Sequence, residues 1–99
     1  MRPAVLGLAL ALAFPAAAAA QAPLAAQGCL GCHGATGAGS AAIPGLAGRP
    51  AAELSAAMLA FRANERPGTI MGRIARGYTD AEIAAMAAHF AALPAGGSR

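Results

Sequence analysis

The sequence predicts a small all-α domain. Apolar residues recur at helical spacing in 50–64 and 79–93, and no stretch alternates polar and apolar residues for long enough to predict a strand. Two segments rich in Gly and Pro, 33–50 and 65–78, predict irregular loops. Alanine supplies much of the hydrophobicity of the 99-residue chain, so we expect a disulfide, a metal or a cofactor to complete the core.

The amino-terminal residues have the pattern of an export leader. Arg2 provides a positive start, residues 4–14 are apolar, and Ala18 to Ala20 meet the small-x-small rule for cleavage. We predict a signal peptide of residues 1–20, with cleavage after Ala22 as a second possibility. An uncleaved anchor is the alternative, although the apolar run is at the short limit of a bilayer span.

Cleavage would leave a domain of residues 21–95 and a flexible tail of residues 96–99 in the periplasm, touching a membrane only through the leader before cleavage. The mature chain keeps six arginines and four acidic residues, a net charge of +2, and three aromatic residues. The arginines form no basic stripe interleaved with stacking rings. This pattern argues against nucleic-acid binding.

Two helices are predicted in the first two thirds of the chain. A short one, from about Pro23 to Gly28, leads into the two cysteines. The next runs from about Pro50 to Asn64, because proline suits the first helical position and Leu54, Met58 and Phe61 recur on one face.

The last helix has the clearest local signals. Thr79 and Glu82 stand three residues apart as a capping box, and Pro94 ends the helix. Its apolar stripe consists of Ile83, Met86, Ala87 and Phe90. The loop before it has room for at most a short helical turn around residues 71–76.

The motif "CLGCH" contains both cysteines of the chain, Cys29 and Cys32, followed directly by His33. This spacing matches the signature of covalent c-type haem attachment, in which one local turn aims two sulfurs at the vinyl groups of the porphyrin. The adjoining imidazole then reaches the iron. A zinc site would need a fourth ligand, a redox dithiol would need a βαβ context, and a plain disulfide would close too small a loop to stabilise much.

A second axial ligand would come from one of three methionines or from His89. Met58 and Met86 belong to apolar stripes, where methionine usually fills a core, and His89 suits the surface. Met71 belongs to no stripe and has Gly72 beside it, so we predict Met71 as the ligand. A His/Met pair closes both axial positions, which favours electron transfer over oxygen chemistry.

The order of these features resembles the class I cytochromes c across the mature chain: short helix, CxxCH, Gly-rich loop with "PGLAG", middle helix, loop methionine and last helix. The resemblance implies three to four helices around one covalent haem. It also implies thioether bonds at Cys29 and Cys32, His33 as proximal ligand, and the Pro44 carbonyl as acceptor from the other imidazole nitrogen. Alternatively, Pro44 is only a loop residue.

The segment "FRANERPGTIMGRIARGYTDAEIAAMAAHFAAL", residues 61–93, resembles the cytochrome subunit of flavocytochrome c sulfide dehydrogenase. In that periplasmic heterodimer, a flavoprotein oxidises sulfide and passes electrons to the cytochrome. The resemblance implies an FAD flavoprotein partner, other redox proteins as acceptors, and no catalytic residue in this chain. A single CxxCH allows one haem, whereas some members have two haem domains.

The alternative is a freely diffusing monohaem carrier between dehydrogenases and a terminal oxidase or another acceptor. The chain has no lysine to steer transient docking by charge, which favours a lasting, less polar interface. Its arginines could do the steering instead.

Overall fold

The computed structural model describes residues 21–96, together with Pro3, Ala4 and Gly7. The predicted leader cleavage and the last three residues of the predicted tail lie outside the described residues. The described part contains five helices and no strand, which confirms the all-α fold class. The helices are α1 (Leu24–Gln27), α2 (Leu30–His33), α3 (Ala51–Arg62), α4 (Met71–Arg76) and α5 (Asp80–Ala91). None of the described helices is long and apolar enough to cross a membrane.

The helix count exceeds the expected three to four because the cysteine motif forms a helical turn of its own. Only two residues separate α1 from α2, and α2 contains Cys32 and His33. A helix of four residues is too short to display an apolar period, so periodicity could not reveal it.

The two long helices follow their sequence signals closely. In α5, Thr79 Oγ1 accepts a hydrogen bond from the Glu82 amide at 3.1 Å, and the Glu82 carboxylate accepts one from the Thr79 amide at 3.0 Å. All four residues of the predicted α5 stripe are buried. Pro50 caps α3 instead of forming its first turn, a difference of one residue.

The core lies where α3 packs against α4 and α5, and α1 packs against α5. Leu54 and Met58 face this core from α3, and Ile83 and Phe90 from α5. Ala26 of α1 is fully buried, and its small side chain lets α1 lie close to α5.

The residues between α2 and α3, 34–50, form a segment that we call the glycine loop. The backbone of this loop forms hydrogen bonds with α2 and α5. The Gly39 amide donates to His33 O at 2.7 Å, and the Gly48 amide donates to Phe90 O at 2.9 Å. Gly39 has a φ of +75°, and a Cβ there would lie 2.4 Å from Ile43 O. The loop therefore requires glycine at this position to fold back on itself.

Candidate functional site

A cavity of about 350 Å³ opens between α2, the glycine loop, α3 and the segment before α5. Its size is in the range of about 300–1,000 Å³ that is usual for cofactor sites. All five residues predicted for the site line it: Cys29, Cys32, His33, Pro44 and Met71. Most of the other lining side chains are apolar, among them Leu46, Leu54, Phe61 and Ile74. The fold thus brings residues 42 positions apart in the chain, Cys29 and Met71, to one cavity.

His33 is buried, and its Nδ1 lies 2.7 Å from Pro44 O. A carbonyl oxygen can only accept, so Nδ1 carries the proton and donates it to this bond. Nε2 is then the nitrogen with a free lone pair, the form that can ligate a metal. The glycine loop sets this arrangement, because Gly39, whose amide donates to His33 O, also has its Cα close against the backbone of residues 43–45.

Neither cysteine forms a disulfide, and Cys29 is half-buried whereas Cys32 is exposed. Burial raises the pKa of the Cys29 thiol, and a contact with the Tyr78 hydroxyl at 3.9 Å partly offsets that rise. Burial, and then the nearby Cys29, raise the pKa of Tyr78 to about 12. The Tyr78 hydroxyl donates to Ala25 O at 2.7 Å, so it ties α1 to the residue that precedes the α5 cap.

Three methionine side chains line the cavity. Met58 and Met86 are buried in the core, as their positions on apolar stripes predict, whereas Met71 is half-buried at the first position of α4. His89 is not among the lining residues. Its ring makes an edge contact with Phe90, with centroids 5.1 Å apart.

Sequence reasoning missed two charged residues of the cavity wall, Arg49 and Arg66. The Arg66 guanidinium carbon lies 4.8 Å from the centroid of the Phe61 ring, a cation–π contact, and Arg49 forms an ion pair with Glu53. No acidic side chain is among the residues that line the cavity. No local pattern marks these arginines, because their place at the wall depends on tertiary folding.

Residues 21–96 contain no cluster of side chains that would support a metal site of another kind. No group of three or more His, Cys, Asp or Glu side chains there could together hold a metal ion. The donor atoms at the cavity are instead two thiols, one imidazole and the methionine thioethers, a set that fits a covalently bound haem.

Comparison with known proteins identifies the family. The model of the cytochrome c family matches residues 17–94, most of the chain. The chain belongs to the cytochrome c family. It carries one covalently bound haem c, and its function is electron transfer. The haem is therefore the cofactor that we expected to complete the core of this small chain.

The solved structures similar to this cytochrome include a dehydrogenase and another cytochrome. A thiosulfate dehydrogenase from Marichromatium purpuratum is 38% identical with a TM-score of 0.64, over 67% of this chain and 15% of that one. Cytochrome c4 from Acidithiobacillus ferrooxidans is 30% identical with a TM-score of 0.65, over 77% of this chain and 42% of that one. The cytochrome thus spans less than half the length of either structure. None of the curated proteins matches it significantly.

Proposed function

We propose that this cytochrome passes single electrons through a haem attached to Cys29 and Cys32, with His33 and Met71 as axial ligands. The observation that supports this assignment is the presence of all four side chains at one largely apolar cavity. When bound, the haem supplies a one-electron iron couple, and an imidazole–thioether pair favours the reduced state. With both axial positions filled by the chain, no position remains for a substrate.

The chain's own contribution is to orient these ligands. The bond from His33 Nδ1 to Pro44 O fixes the plane of the imidazole and keeps Nε2 unprotonated for the iron. The Tyr78 hydroxyl bond to Ala25 O holds the turn that presents Cys29. Leu46, Leu54 and Ile74 make the walls of the site apolar.

Met71 is the axial methionine in this proposal because of its place in the fold. Met58 and Met86 project from long helices into the core, where they pack against neighbouring side chains. Met71 begins a helix of six residues and has Gly72 after it, which leaves its backbone uncrowded.

The ligand assignment has a direct spectroscopic test. Met71→Ala in the haem-loaded protein is expected to abolish the sulfur-to-iron charge-transfer band of the oxidised state. Met58→Leu and Met86→Leu serve as matched controls, since each removes a sulfur from the same cavity at nearly constant volume. Survival of the band in Met71→Ala, with its loss in one of the controls, would transfer the role to that methionine.

We infer that the protein is exported to the periplasm and that residues 1–20 are removed. The charged start, the apolar run and the alanines before Gln21 support this. The intact mass of protein purified from its native cells is expected to correspond to residues 21–99 plus one covalently attached haem. A mass that includes residues 1–20 would contradict cleavage.

We propose that this cytochrome is the electron-accepting subunit of a flavocytochrome c sulfide dehydrogenase and that its partner is the FAD flavoprotein subunit. The resemblance of residues 61–93 supports this, and the similarity to a thiosulfate dehydrogenase points to the same area of sulfur chemistry. An FAD flavoprotein would take two electrons from sulfide and release them one at a time to this cytochrome. No side chain of this chain would bind sulfide.

Purification from the native periplasm tests this subunit assignment. Co-elution with a larger flavin-containing chain, and haem reduction in that complex on addition of sulfide, are the expected results. A monomeric cytochrome without flavin would instead support the freely diffusing carrier. Electron transfer itself stands in either case.

A further inference from the structure

Tyr78 connects three helices through hydrogen bonds. Its hydroxyl donates to Ala25 O at 2.7 Å, in α1 just before the turn with the two cysteines. Its carbonyl oxygen accepts a bond of 3.1 Å from Nη1 of Arg62, the last residue of α3. The other terminal nitrogen of that guanidinium, Nη2, donates to Oδ1 of Asp80 in the first turn of α5. We define the clasp as Arg62 and Tyr78 together with these bonds.

Few other contacts hold the helix that begins with Met71. Among the described helices, α4 packs only against α3. The backbone hydrogen bonds that flank α4 join residues three or four apart and reach no other part of the fold. Within residues 21–96, every hydrogen bond that joins residues 66–78 to another part of the fold is made by Tyr78. Apart from its packing on α3, the position of α4 therefore depends on the clasp.

The clasp and Met71 lie at opposite ends of one helix. Tyr78 follows Met71 by about two helical turns, and Ala75 between them is fully buried in the core. A displacement at Tyr78 therefore passes along α4 to Met71. The Arg62 side chain is 31% exposed and that of Asp80 is 85% exposed. Water competes less for the bond from Arg62 to the Tyr78 carbonyl than for the ion pair, so we expect the carbonyl bond to contribute more.

We propose that Arg62 and Tyr78 are positioning residues that keep the Met71 sulfur at the cavity. This inference rests on the proposed function, in which Met71 is an axial ligand. A soft, uncharged thioether favours reduced over oxidised iron, so the oxidised protein depends most on the fold to keep the sulfur in place. Without the clasp, α4 would move away from the cavity more often, and Met71 would be detached for a larger fraction of the time.

The test measures how readily added imidazole replaces Met71 in the oxidised, haem-loaded protein. Imidazole can bind only when Met71 is detached, so its apparent Kd falls in proportion as the detached fraction rises. We expect Arg62→Gln to lower this Kd about three- to tenfold, the change expected from the loss of one or two partly exposed hydrogen bonds. Loss of the sulfur-to-iron charge-transfer band during the titration follows the binding.

Arg76→Gln is the matched control. It makes the same change of side chain and charge, but Arg76 donates only to Gly72 O of its own helix, at 3.1 Å. Its Kd for imidazole is expected to stay within about twofold of the wild-type value. An equal fall in the two variants would overturn the proposal, because the loss of one positive charge would then explain both.

A second background separates the positioning of Met71 from a general loosening of the fold. In Met71→Ala the clasp has no ligand to hold, so the further change Arg62→Gln should alter the Kd for imidazole by less than about twofold. If Arg62→Gln has the same effect with and without Met71, Arg62 acts on the cavity by another route and the proposal fails.

Tyr78→Phe tests the other half of the clasp, and it decides the matter if Arg62→Gln does not retain haem. It removes the hydroxyl that donates to Ala25 O and keeps the carbonyl that accepts from Arg62. We expect the Kd for imidazole to fall about two- to fivefold, and an unchanged value would contradict the proposal.

The wild type separates this inference from its premise. If the oxidised wild type lacks the sulfur-to-iron charge-transfer band, the proposed ligand set fails and the clasp fails with it. If the band is present and Arg62→Gln binds imidazole no more tightly than Arg76→Gln, only the clasp fails.

Discussion

The glycine loop and residues 66–77, which we call the arginine segment because they contain Arg66, Arg73 and Arg76, both line the cavity, but different contacts hold them. The backbone of the glycine loop donates hydrogen bonds to His33 O at the end of α2, six residues from Gly39, and to Phe90 O in α5, 42 residues from Gly48. The backbone bonds that flank α4 in the arginine segment join residues only three or four apart. Side chains position the rest of that segment, with the Phe61 ring packed against Gly68 and beneath Arg66.

The two segments therefore have different roles: the glycine loop orients His33, and the arginine segment exposes side chains that the fold does not depend on. Backbone geometry fixes the loop that carries Pro44, so the orientation of His33 depends on a few glycines. Exposed side chains in the arginine segment can change with little effect on the fold, because few of them pack against the core. Substitutions on the His33 side of the cavity are therefore expected to disturb the fold. Substitutions on the Met71 side could change the surface offered to a partner with little loss of stability.

Gly39→Ala is expected to have the largest effect. Its Cβ would lie 2.4–2.7 Å from backbone atoms of residues 43–45, which cannot move without displacing Pro44, and the φ of +75° adds strain. We expect a loss of about 3 kcal/mol or more in the free energy of unfolding of the haem-loaded protein, measured in guanidinium chloride.

The matched control for Gly39→Ala lies in the arginine segment. A Cβ at Gly72 would meet only Phe61 O, at 3.7 Å. Gly72 lies within α4, where alanine has a higher helix propensity than glycine. Gly72→Ala should be neutral or stabilising by up to about 1 kcal/mol. A cost for Gly72→Ala equal to that for Gly39→Ala would refute the contrast between backbone and side-chain control.

Gly68 is the one glycine of the arginine segment where an added Cβ would clash with a neighbouring side chain, so we consider Gly68→Ala next. The added Cβ would lie 2.8 Å from Cε1 of Phe61, an atom of a ring that can rotate. We expect a smaller loss than for Gly39→Ala, about 1–2 kcal/mol, together with a shift in the haem absorption, since Phe61 lines the cavity. Thermal unfolding and visible spectra provide both readouts.

A double variant tests the cause of the Gly68→Ala effect. Phe61→Leu should give the new methyl group room, so Phe61→Leu/Gly68→Ala is expected to lose less stability than the two single changes added together. Strict additivity would mean that the clash with Phe61 is not the reason for the loss.

The sequence predicts the parts of this molecule that depend on neighbouring residues. The α5 capping box and the apolar stripe are local signals, and both are present in the structure. The proximity of Pro44 O to His33 could be expected only from family resemblance, because the bend at Gly39 that creates it has no periodic signature. Arg49 and Arg66 reach the cavity only after α3 and its flanking loops have folded together, and nothing in their local sequence indicates that position.

The cap of α5, which fixes the carboxyl end of the arginine segment, provides the smallest expected effect. Hydrogen bonds from the backbone and side chain of Thr79 lower the pKa of Glu82. The unfolded chain therefore binds the proton more readily, so the charged cap stabilises the fold above the unfolded pKa, and this stabilisation disappears as pH falls through the lower folded pKa. Glu82→Gln should be slightly less stable than the wild type at pH 7, with the difference vanishing in acid.

Thr79→Ala is the control for that pH dependence. It removes the hydroxyl that accepts from the Glu82 amide, a loss of about 1 kcal/mol that does not titrate. It also removes one of the two hydrogen bonds that lower the pKa of Glu82, so its deficit should shrink only in part as pH falls. Urea unfolding of the three haem-loaded proteins across this range gives the comparison. If the deficit of Glu82→Gln persisted undiminished in acid, the cap would act through its shape alone, and the arginine segment would be anchored there without any help from the Glu82 charge.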